Sequence, residues 1–172
     1  MDRFERLAGA LRRIPGLEVR ENEPMKRHTT FRIGGPARLM ALPRSRREAA
    51  AAVRAATEVG IAPFFLGNGS NLLVADHGYE GFVLKACGLD QVREVNCRLR
   101  AESGITLARL ANAALGRGLT GLEFAHGIPG TLGGAVVMNA GAYGGEMVQV
   151  LTAVTYLDGA GEEHTLPAVG PG

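Results

Sequence analysis

Glycine and apolar residues are interleaved throughout the stretch from Gly121 to Glu146, GLEFAHGIPGTLGGAVVMNAGAYGGE, which contains neither lysine nor arginine. Glycine is used where the backbone needs a positive φ or must approach another surface closely. The apolar side chains indicate that the stretch is buried and is not a flexible linker. A closely packed main chain whose amide groups are free to donate suits a flat, partly anionic cofactor. A tight crossing of core elements is the alternative, and this stretch alone leaves both interpretations open.

A second glycine cluster, Gly67–Asn71, reads GNGSN and lies between two apolar runs. Successive glycines let neighbouring N–H groups point into one concavity, a nest that suits phosphate oxygens. The cluster lacks the Gly-Lys-Ser/Thr of a Walker A loop. The run after it, Leu72–Ala75, predicts a strand where a Rossmann motif would have a helix. The pattern therefore predicts a strand–nest–strand phosphate cradle, with an ordinary tight turn as the alternative.

A third segment, Thr29–Ala37, places Gly-Gly-Pro just before an alternating run. The three motifs TTFRIGGPA, LGNGSNLLVAD and GIPGTLGGAVVMNAGAYGGE closely resemble, in order and separation, those of the UDP-N-acetylenolpyruvoylglucosamine reductase family. The resemblance extends from about Thr29 to about Leu157. It implies an α+β, two-lobed FAD-binding fold of the p-cresol-methylhydroxylase-like type, with the C-terminal substrate domain missing from this sequence.

The resemblance also implies which residues contact FAD. Six residues of the second motif are expected to hold the pyrophosphate: Gly67, Asn68, Gly69, Ser70, Asn71 and Leu72. Main-chain groups expected to line the flavin belong to Ile128, Pro129, Gly130, Gly133 and Gly134. The residues expected beside the isoalloxazine ring are Asn139, Ala140, Gly141, Ala142 and Tyr143. Tyr143 has core packing as its alternative. A Cβ at position 69 is expected both to disfavour a positive φ and to block the approach of the phosphate.

The activity that the resemblance implies is the reduction of UDP-N-acetylglucosamine enolpyruvate to UDP-N-acetylmuramate in peptidoglycan synthesis, with NADPH as hydride donor. The family's Tyr-Arg-x-Ser segment, its substrate domain and its serine proton donor do not occur in this sequence. We therefore assign no catalytic residue and expect the chain alone to be inactive. A flavin-binding fragment without turnover and a related flavin oxidase are the alternatives, and the close match to GIPGTLGG and NAGAYG disfavours the oxidase.

The periodicity of the chain predicts two lobes, residues 1–86 and 87–172. Ser45 and Glu48 form a capping box at the start of an alanine-rich helix, and Asp158-Gly159 predicts a hairpin turn. The predicted helices cover residues 3–14, 45–59 and 106–116. The predicted strands cover residues 17–19, 37–42, 62–66, 72–75, 81–86, two stretches within 92–101, 148–157 and 163–166. Residues 168–172 read as a loose end.

Composition excludes several classes of protein. A formal net charge of +2 predicts no nucleic-acid partner, and no apolar run is long enough to span a membrane. The charged N-terminus is unlike a secretory signal, so we expect a cytoplasmic location, with a monomer favoured. Cys87 and Cys97 are interpreted as free thiols, with a disulfide as the alternative that their number allows. The four histidines lack metal-ligand spacing, so no metal is expected. His126 is interpreted as an uninvolved polar residue near the pocket rim, with a flavin contact or a covalent flavin link as the alternatives.

Overall fold

A computed structural model describes residues 2–168 of the chain. Its main sheet has four strands in the order β1-β2-β4-β3. They are β1 (Glu18–Pro24), β2 (Pro36–Leu42), β3 (Pro63–Leu66) and β4 (Tyr79–Lys85). Strand β1 runs antiparallel to β2, whereas β2 and β3 both run parallel to β4. The connection from β2 through a helix to β3 confirms the predicted strand–helix–strand unit.

Two helices, α1 (Arg3–Leu11) and α2 (Arg46–Glu58), cover one face of this sheet. The predicted cap of α2 is present, because the Ser45 hydroxyl accepts from the Glu48 amide at 3.2 Å. Helix α1 ends three residues earlier than predicted. The core between helices and sheet is built from fully or nearly fully buried side chains, among them Leu7, Leu11, Ala52, Ala56, Leu39, Phe82 and Leu84.

The opposite face of the sheet is covered by irregular chain. Met25, in a 3₁₀ turn over Met25–Arg27, packs there with Met40 and Val83, and the 72–75 segment adds its side chains. The prediction of a strand at 72–75 is wrong. The Ala75 carbonyl accepts from the amide of Gly35 at 2.9 Å. A Cβ at Gly35 would lie 2.1 Å from the Asp76 carbonyl oxygen, so this segment packs tightly across a loop and joins no sheet.

Shorter elements make up the remainder of the chain. They are β5 (Val92–Val95), β6 (Arg98–Ala101), α3 (Leu107–Leu115), α4 (Leu132–Val137), β7 (Gly141–Ala142), β8 (Gly145–Glu146), β9 (Ala153–Leu157) and β10 (Glu163–Pro167). The strand pairs β5–β6, β7–β8 and β9–β10 are each antiparallel. The predicted 148–157 strand is too long at its start, because residues 147–149 form a 3₁₀ turn.

The main sheet uses strands from residues 18–85 only, whereas the three later hairpins begin at residue 92 or beyond. The division at residue 86 stays a prediction, and residues 169–172 of the second predicted lobe and of the loose end lie outside the described part. The β9–β10 turn docks on α2, because Thr57 Oγ1 donates to the Gly159 carbonyl at 2.6 Å. No helix within residues 2–168 has the length and apolar content needed to cross a membrane.

Candidate cofactor-binding site

The loop after β3 forms the predicted nest. Gly69 has φ +65°, the left-handed conformation that glycine adopts without steric cost. The amides of Asn68, Gly69, Ser70 and Asn71 donate to no acceptor among residues 2–168. Four consecutive free donors around a left-handed residue are the arrangement that binds phosphate oxygens. The loop is therefore chemically suited to a diphosphate.

The positive φ expected at position 69 is confirmed, and the structure adds a second reason for a glycine there. A Cβ there would lie 2.0 Å from the His28 carbonyl oxygen and 3.0 Å from Thr29 Cα. It would therefore collide with the protein's own backbone, and the expected clash with a phosphate stays a prediction. The Gly69 carbonyl accepts from the Thr30 amide at 3.0 Å, so the nest is fastened to the 28–30 segment.

The nest also contacts the long glycine-rich stretch. Ser70 Oγ donates to the Pro129 carbonyl at 2.9 Å. A Cβ at Gly130 would lie 3.3 Å from that same hydroxyl, and one at Gly67 would lie 2.2 Å from Thr131 Oγ1. Two motifs that are about 60 residues apart in sequence thus meet in space. This contact unites the pyrophosphate and flavin halves of the predicted site.

Helix α4, within the glycine-rich stretch, uses part of its N-terminus for packing. The Gly133 amide donates to the Ser103 carbonyl at 2.7 Å, and a Cβ at Gly133 would lie 2.8 Å from Ser103 Cβ. Gly134 has only one neighbour, at 3.7 Å, near its Cβ position. Ile128 packs against the core cluster around Leu107. Gly134 is therefore the more open of the two glycines, and Gly133 is required by packing.

The loop that follows α4 is held by its own side chains. Asn139 donates from Nδ2 to Glu146 Oε2 at 2.8 Å and accepts from the Val148 amide at 3.0 Å. The Ala140 amide donates to the Ala135 carbonyl at 2.8 Å, and Gly141 and Ala142 form β7. Tyr143 is 97% exposed, which rules out the alternative of core packing.

Within the described residues 2–168, no hydrogen bond joins this loop to the nest. Asn139 and Tyr143 have φ values of +44° and +52°. A left-handed conformation at a non-glycine residue is uncommon and clusters at functional sites. The loop thus presents an exposed aromatic ring on a rigid, hydrogen-bonded hairpin.

The structure also brings together Lys85, His28 and Glu23 beside the nest, a group that the sequence analysis did not predict. Lys85 Nζ lies 2.8 Å from His28 Nδ1, and His28 Nε2 lies 2.9 Å from Glu23 Oε1. Burial lowers the pKa of His28 below its usual 6.5. The hydrogen bond to Glu23 would raise this pKa, and the positive charge of the nearby Lys85 lowers it further. Burial alone would raise the pKa of Glu23, but hydrogen bonds from His28 and Arg20 lower it.

The remaining candidates lie apart from this group. His126 is exposed and next to the glycine-rich stretch. Cys87 is half-buried and Cys97 exposed in the β5–β6 turn, and both are free thiols. Within residues 2–168 there is no cluster of three or more metal-ligating side chains.

The comparisons with known proteins agree with this geometry. A family model described as "FAD binding domain" matches residues 37–167. A UDP-N-acetylenolpyruvoylglucosamine reductase of Caldanaerobacter subterraneus subsp. tengcongensis is 53% identical over 137 residues, which cover 80% of this chain and 45% of the relative. One of Syntrophomonas wolfei is 49% identical over 142 residues, covering 82% of this chain and 48% of the relative.

Two solved structures superimpose on this chain. UDP-N-acetylenolpyruvylglucosamine reductase from Thermus caldophilus superimposes with a TM-score of 0.70 at 34% identity, covering 88% of this chain and 52% of that one. Glucooligosaccharide oxidase from Acremonium strictum has the same TM-score of 0.70 at 17% identity, covering 94% of this chain and 36% of that one, which shows the fold alone.

The nest, the closely packed glycines and the matching model define the class: the chain belongs to the FAD binding domain family. Within that class it is similar to the N-terminal, FAD-binding portion of UDP-N-acetylenolpyruvoylglucosamine reductases. The expected α+β fold of the p-cresol-methylhydroxylase-like type is confirmed. The chain spans about half the length of the curated relatives it matches.

Proposed function

We propose that the chain binds FAD non-covalently, with the nest holding the diphosphate. The observation that carries this proposal is the row of free amides from Asn68 to Asn71 in direct contact with the glycine-rich stretch through Ser70 and Pro129. The amides supply donors without a dedicated lysine, as phosphate-binding nests do. The residues proposed to complete the nest at its ends are Gly67 and Leu72.

The glycine-rich stretch is proposed to line the flavin. Main-chain groups of Ile128, Pro129, Gly130, Gly133 and Gly134 form the wall that meets the nest. Since the Gly133 amide already donates to Ser103, the free contribution from α4 comes from Gly134. The loop of Asn139, Ala140, Gly141, Ala142 and Tyr143 is proposed to lie beside the ring system, where the exposed Tyr143 excludes water from the ligand.

The proposed reaction of the whole protein is reduction of UDP-N-acetylglucosamine enolpyruvate to UDP-N-acetylmuramate, with NADPH as hydride donor. FAD, when bound, supplies the hydride-transfer chemistry, and the chain supplies binding and orientation. Because no proton donor in the described residues is assigned to the substrate, the chain's own contribution is to hold and orient the cofactor. The support is the identity to reductases of that name.

The wider setting is also a proposal. A role in peptidoglycan synthesis places the protein in the cytoplasm, where it would serve cell wall biogenesis and through it cell shape and cell division. We propose a monomer that takes a UDP-sugar and binds no nucleic acid. Oxidation of NADPH by the whole protein, measured with and without the enolpyruvyl substrate, tests the reaction. FAD-loaded whole protein that fails to oxidise NADPH in either case would contradict the proposed hydride donor, whereas this chain alone is expected to show no substrate-dependent turnover.

FAD uptake tests the central proposal. The purified chain is incubated with FAD and desalted, and the retained visible absorbance is measured, followed by a fluorescence titration for Kd. Ser70→Ala removes the hydroxyl that bridges the two motifs and is expected to weaken FAD binding roughly 2-fold to 12-fold, the value of one neutral hydrogen bond.

The matched control is Thr57→Val. Thr57 also donates a hydroxyl to a main-chain carbonyl, that of Gly159, but where the β9–β10 turn docks on α2. It is expected to leave the Kd for FAD unchanged. A wild-type chain that is folded by circular dichroism and retains no FAD would refute the proposal, as would equal effects of the two variants.

A further inference from the structure

A pocket of about 260 Å³ lies beside the nest and has a strongly basic lining. Its cationic side chains are Arg27, Arg32 and Lys85, and it reaches Asn68, the first of the nest residues with a free amide. No carboxylate of the described residues lines it. Three cations around one concavity attract an anion, and the shared Asn68 makes the pocket an extension of the nest.

Lys85 is fixed in this pocket by a buried pair. Its ammonium has only N–H donors, so His28 Nδ1 must accept at 2.8 Å. The histidine proton is therefore on Nε2, which donates to Glu23 Oε1 at 2.9 Å. His28 is 8% exposed and Glu23 is 7% exposed, so this support is part of the core. The Lys85 ammonium keeps further N–H donors for a ligand.

The buried carboxylate does not cancel the positive charge of the pocket. Glu23 lies behind His28, where it also contacts Arg20 at 3.0 Å and Arg27 at 3.9 Å. One carboxylate thus faces several cations. Arg32 makes no ion pair with any of residues 2–168. The pocket therefore has an excess of positive charge.

Backbone conformation holds Arg32 in the pocket lining. It has φ +55°, a left-handed conformation that is costly for a side-chain-bearing residue. The turn is closed by the Arg32 amide, which donates to the Thr29 carbonyl at 3.1 Å, and by Thr29 Oγ1, which donates to the Ile33 carbonyl at 3.0 Å. The Thr30 amide ties the same turn to Gly69 of the nest.

We propose that this pocket is a second phosphate subsite, in which Lys85, positioned by His28 and Glu23, binds a phosphate group of a dinucleotide adjacent to the nest. The inference rests on the proposed function, since the nest holds the diphosphate of FAD there. The same chemistry has two sources: a phosphate of FAD, or a phosphate of NADPH. A charge-assisted hydrogen bond is the strong kind, so its loss has a measurable effect on affinity.

The first arm of the test compares Lys85→Met with Lys26→Met. Lys26 lies in the neighbouring 3₁₀ turn, is exposed and does not line the pocket, so both variants lose the same net charge. For a phosphate of FAD, Lys85→Met is expected to raise the Kd for FAD roughly tenfold to a hundredfold. Lys26→Met is expected to leave it within about twofold, and riboflavin, which has no phosphate, is expected to bind all variants equally.

If the bound phosphate belongs to NADPH, a different set of Kd values is expected. In Lys85→Met the Kd for FAD then stays constant, and the Kd for NADPH on the FAD-loaded chain rises. NADH, which lacks the 2′-phosphate, then distinguishes that group from the diphosphate that both dinucleotides share. Either pattern supports the subsite. Arg32→Gln, at an exposed position, gives the same comparison without disturbing the buried pair.

The positioning role of His28 has a separate readout. His28→Leu removes the acceptor of Lys85, and His28→Gln keeps a side-chain acceptor. The ratio of the Kd for FAD to the Kd for riboflavin is expected to rise in His28→Leu, and to return part of the way to the wild-type ratio in His28→Gln. A merely structural role would change both Kd values together and leave the ratio unaltered.

Inorganic pyrophosphate, titrated calorimetrically into the apo chain, separates this inference from the proposed function. Wild-type protein that retains no FAD refutes the proposed function. Even in that case, pyrophosphate that binds the wild-type chain and does not bind Lys85→Met supports the subsite. Absence of pyrophosphate binding overturns it. Kd values for FAD and NADPH in Lys85→Met and Arg32→Gln that match those of Lys26→Met also overturn it.

Discussion

Gly69→Ala tests why the nest requires glycine. Residue 69 has φ +65°, and its Cβ would lie 2.0 Å from the His28 carbonyl oxygen. Gly60, just after α2, has φ +67° and nothing within 4 Å of its Cβ position. The two positions therefore share one backbone conformation and differ in what the added methyl group meets, so Gly60→Ala is a matched control.

The expected magnitudes follow from that difference. A left-handed conformation costs an L-residue about 1–2 kcal/mol, which is the full expected loss in Gly60→Ala. Gly69→Ala adds an overlap with backbone, and forced overpacking costs roughly 1–3 kcal/mol more. The expected loss of unfolding free energy at position 69 is therefore about 2–5 kcal/mol. Relief of the overlap must move the nest away from the 28–30 segment, so FAD affinity should fall as well.

The assay is urea unfolding of the apo chain followed by circular dichroism, with slope and midpoint compared among wild type and both variants. FAD titration of the same preparations then gives the binding effect. Equal stability losses for Gly60→Ala and Gly69→Ala, together with loss of FAD binding only at position 69, would refute the reasoning. That result would mean that the methyl group at position 69 clashes with the phosphate and not with the protein backbone.

Three further outcomes are expected in urea unfolding experiments. Gly133→Ala should lower the free energy of unfolding by roughly 1–3 kcal/mol, because the new Cβ would lie 2.8 Å from Ser103 Cβ. Gly134→Ala has more room and should not destabilise the chain. Equal effects of the two substitutions would contradict this. The free energy of unfolding should fall as pH drops through 6.5. Burial lowers the pKa of His28 in the folded chain, so the unfolded chain takes up the proton at a higher pH than the folded chain does. The same dependence of the unfolding free energy on pH in His28→Asn would contradict this. Asn139→Ala should cost about 1–3 kcal/mol because it removes two hydrogen bonds, one to Glu146, and an unchanged midpoint would be inconsistent with that role.

Local signals accounted for much of the fold. The Ser45 cap and the alanine-rich pattern predicted α2 to within a residue at each end, because capping and helical periodicity act over three or four residues. The 72–75 segment had the apolar composition of a strand but is irregular. Its Ala75 carbonyl accepts from the Gly35 amide, and such a partner is decided by tertiary packing.

The candidate site divides in the same way. The motifs containing Gly67–Asn71 and Gly121–Glu146 were evident in the sequence because nests and close approaches demand glycine locally. Their contact through Ser70 and Pro129 spans 59 residues and required the folded chain. No local pattern predicted that the exposed ring of Tyr143 would stand on a hairpin fixed by Asn139.

The sequence by itself determined the motifs, the helix cap and, through their order, the resemblance to a family of flavin enzymes. Only the tertiary structure decided that Gly69 is constrained by the His28 carbonyl and that Lys85 joins His28 across 57 residues. The physical reason is that turn and helix preferences reside in neighbouring residues. Steric contact and charge, in contrast, depend on distance in space, which the folded chain alone establishes between residues remote in sequence.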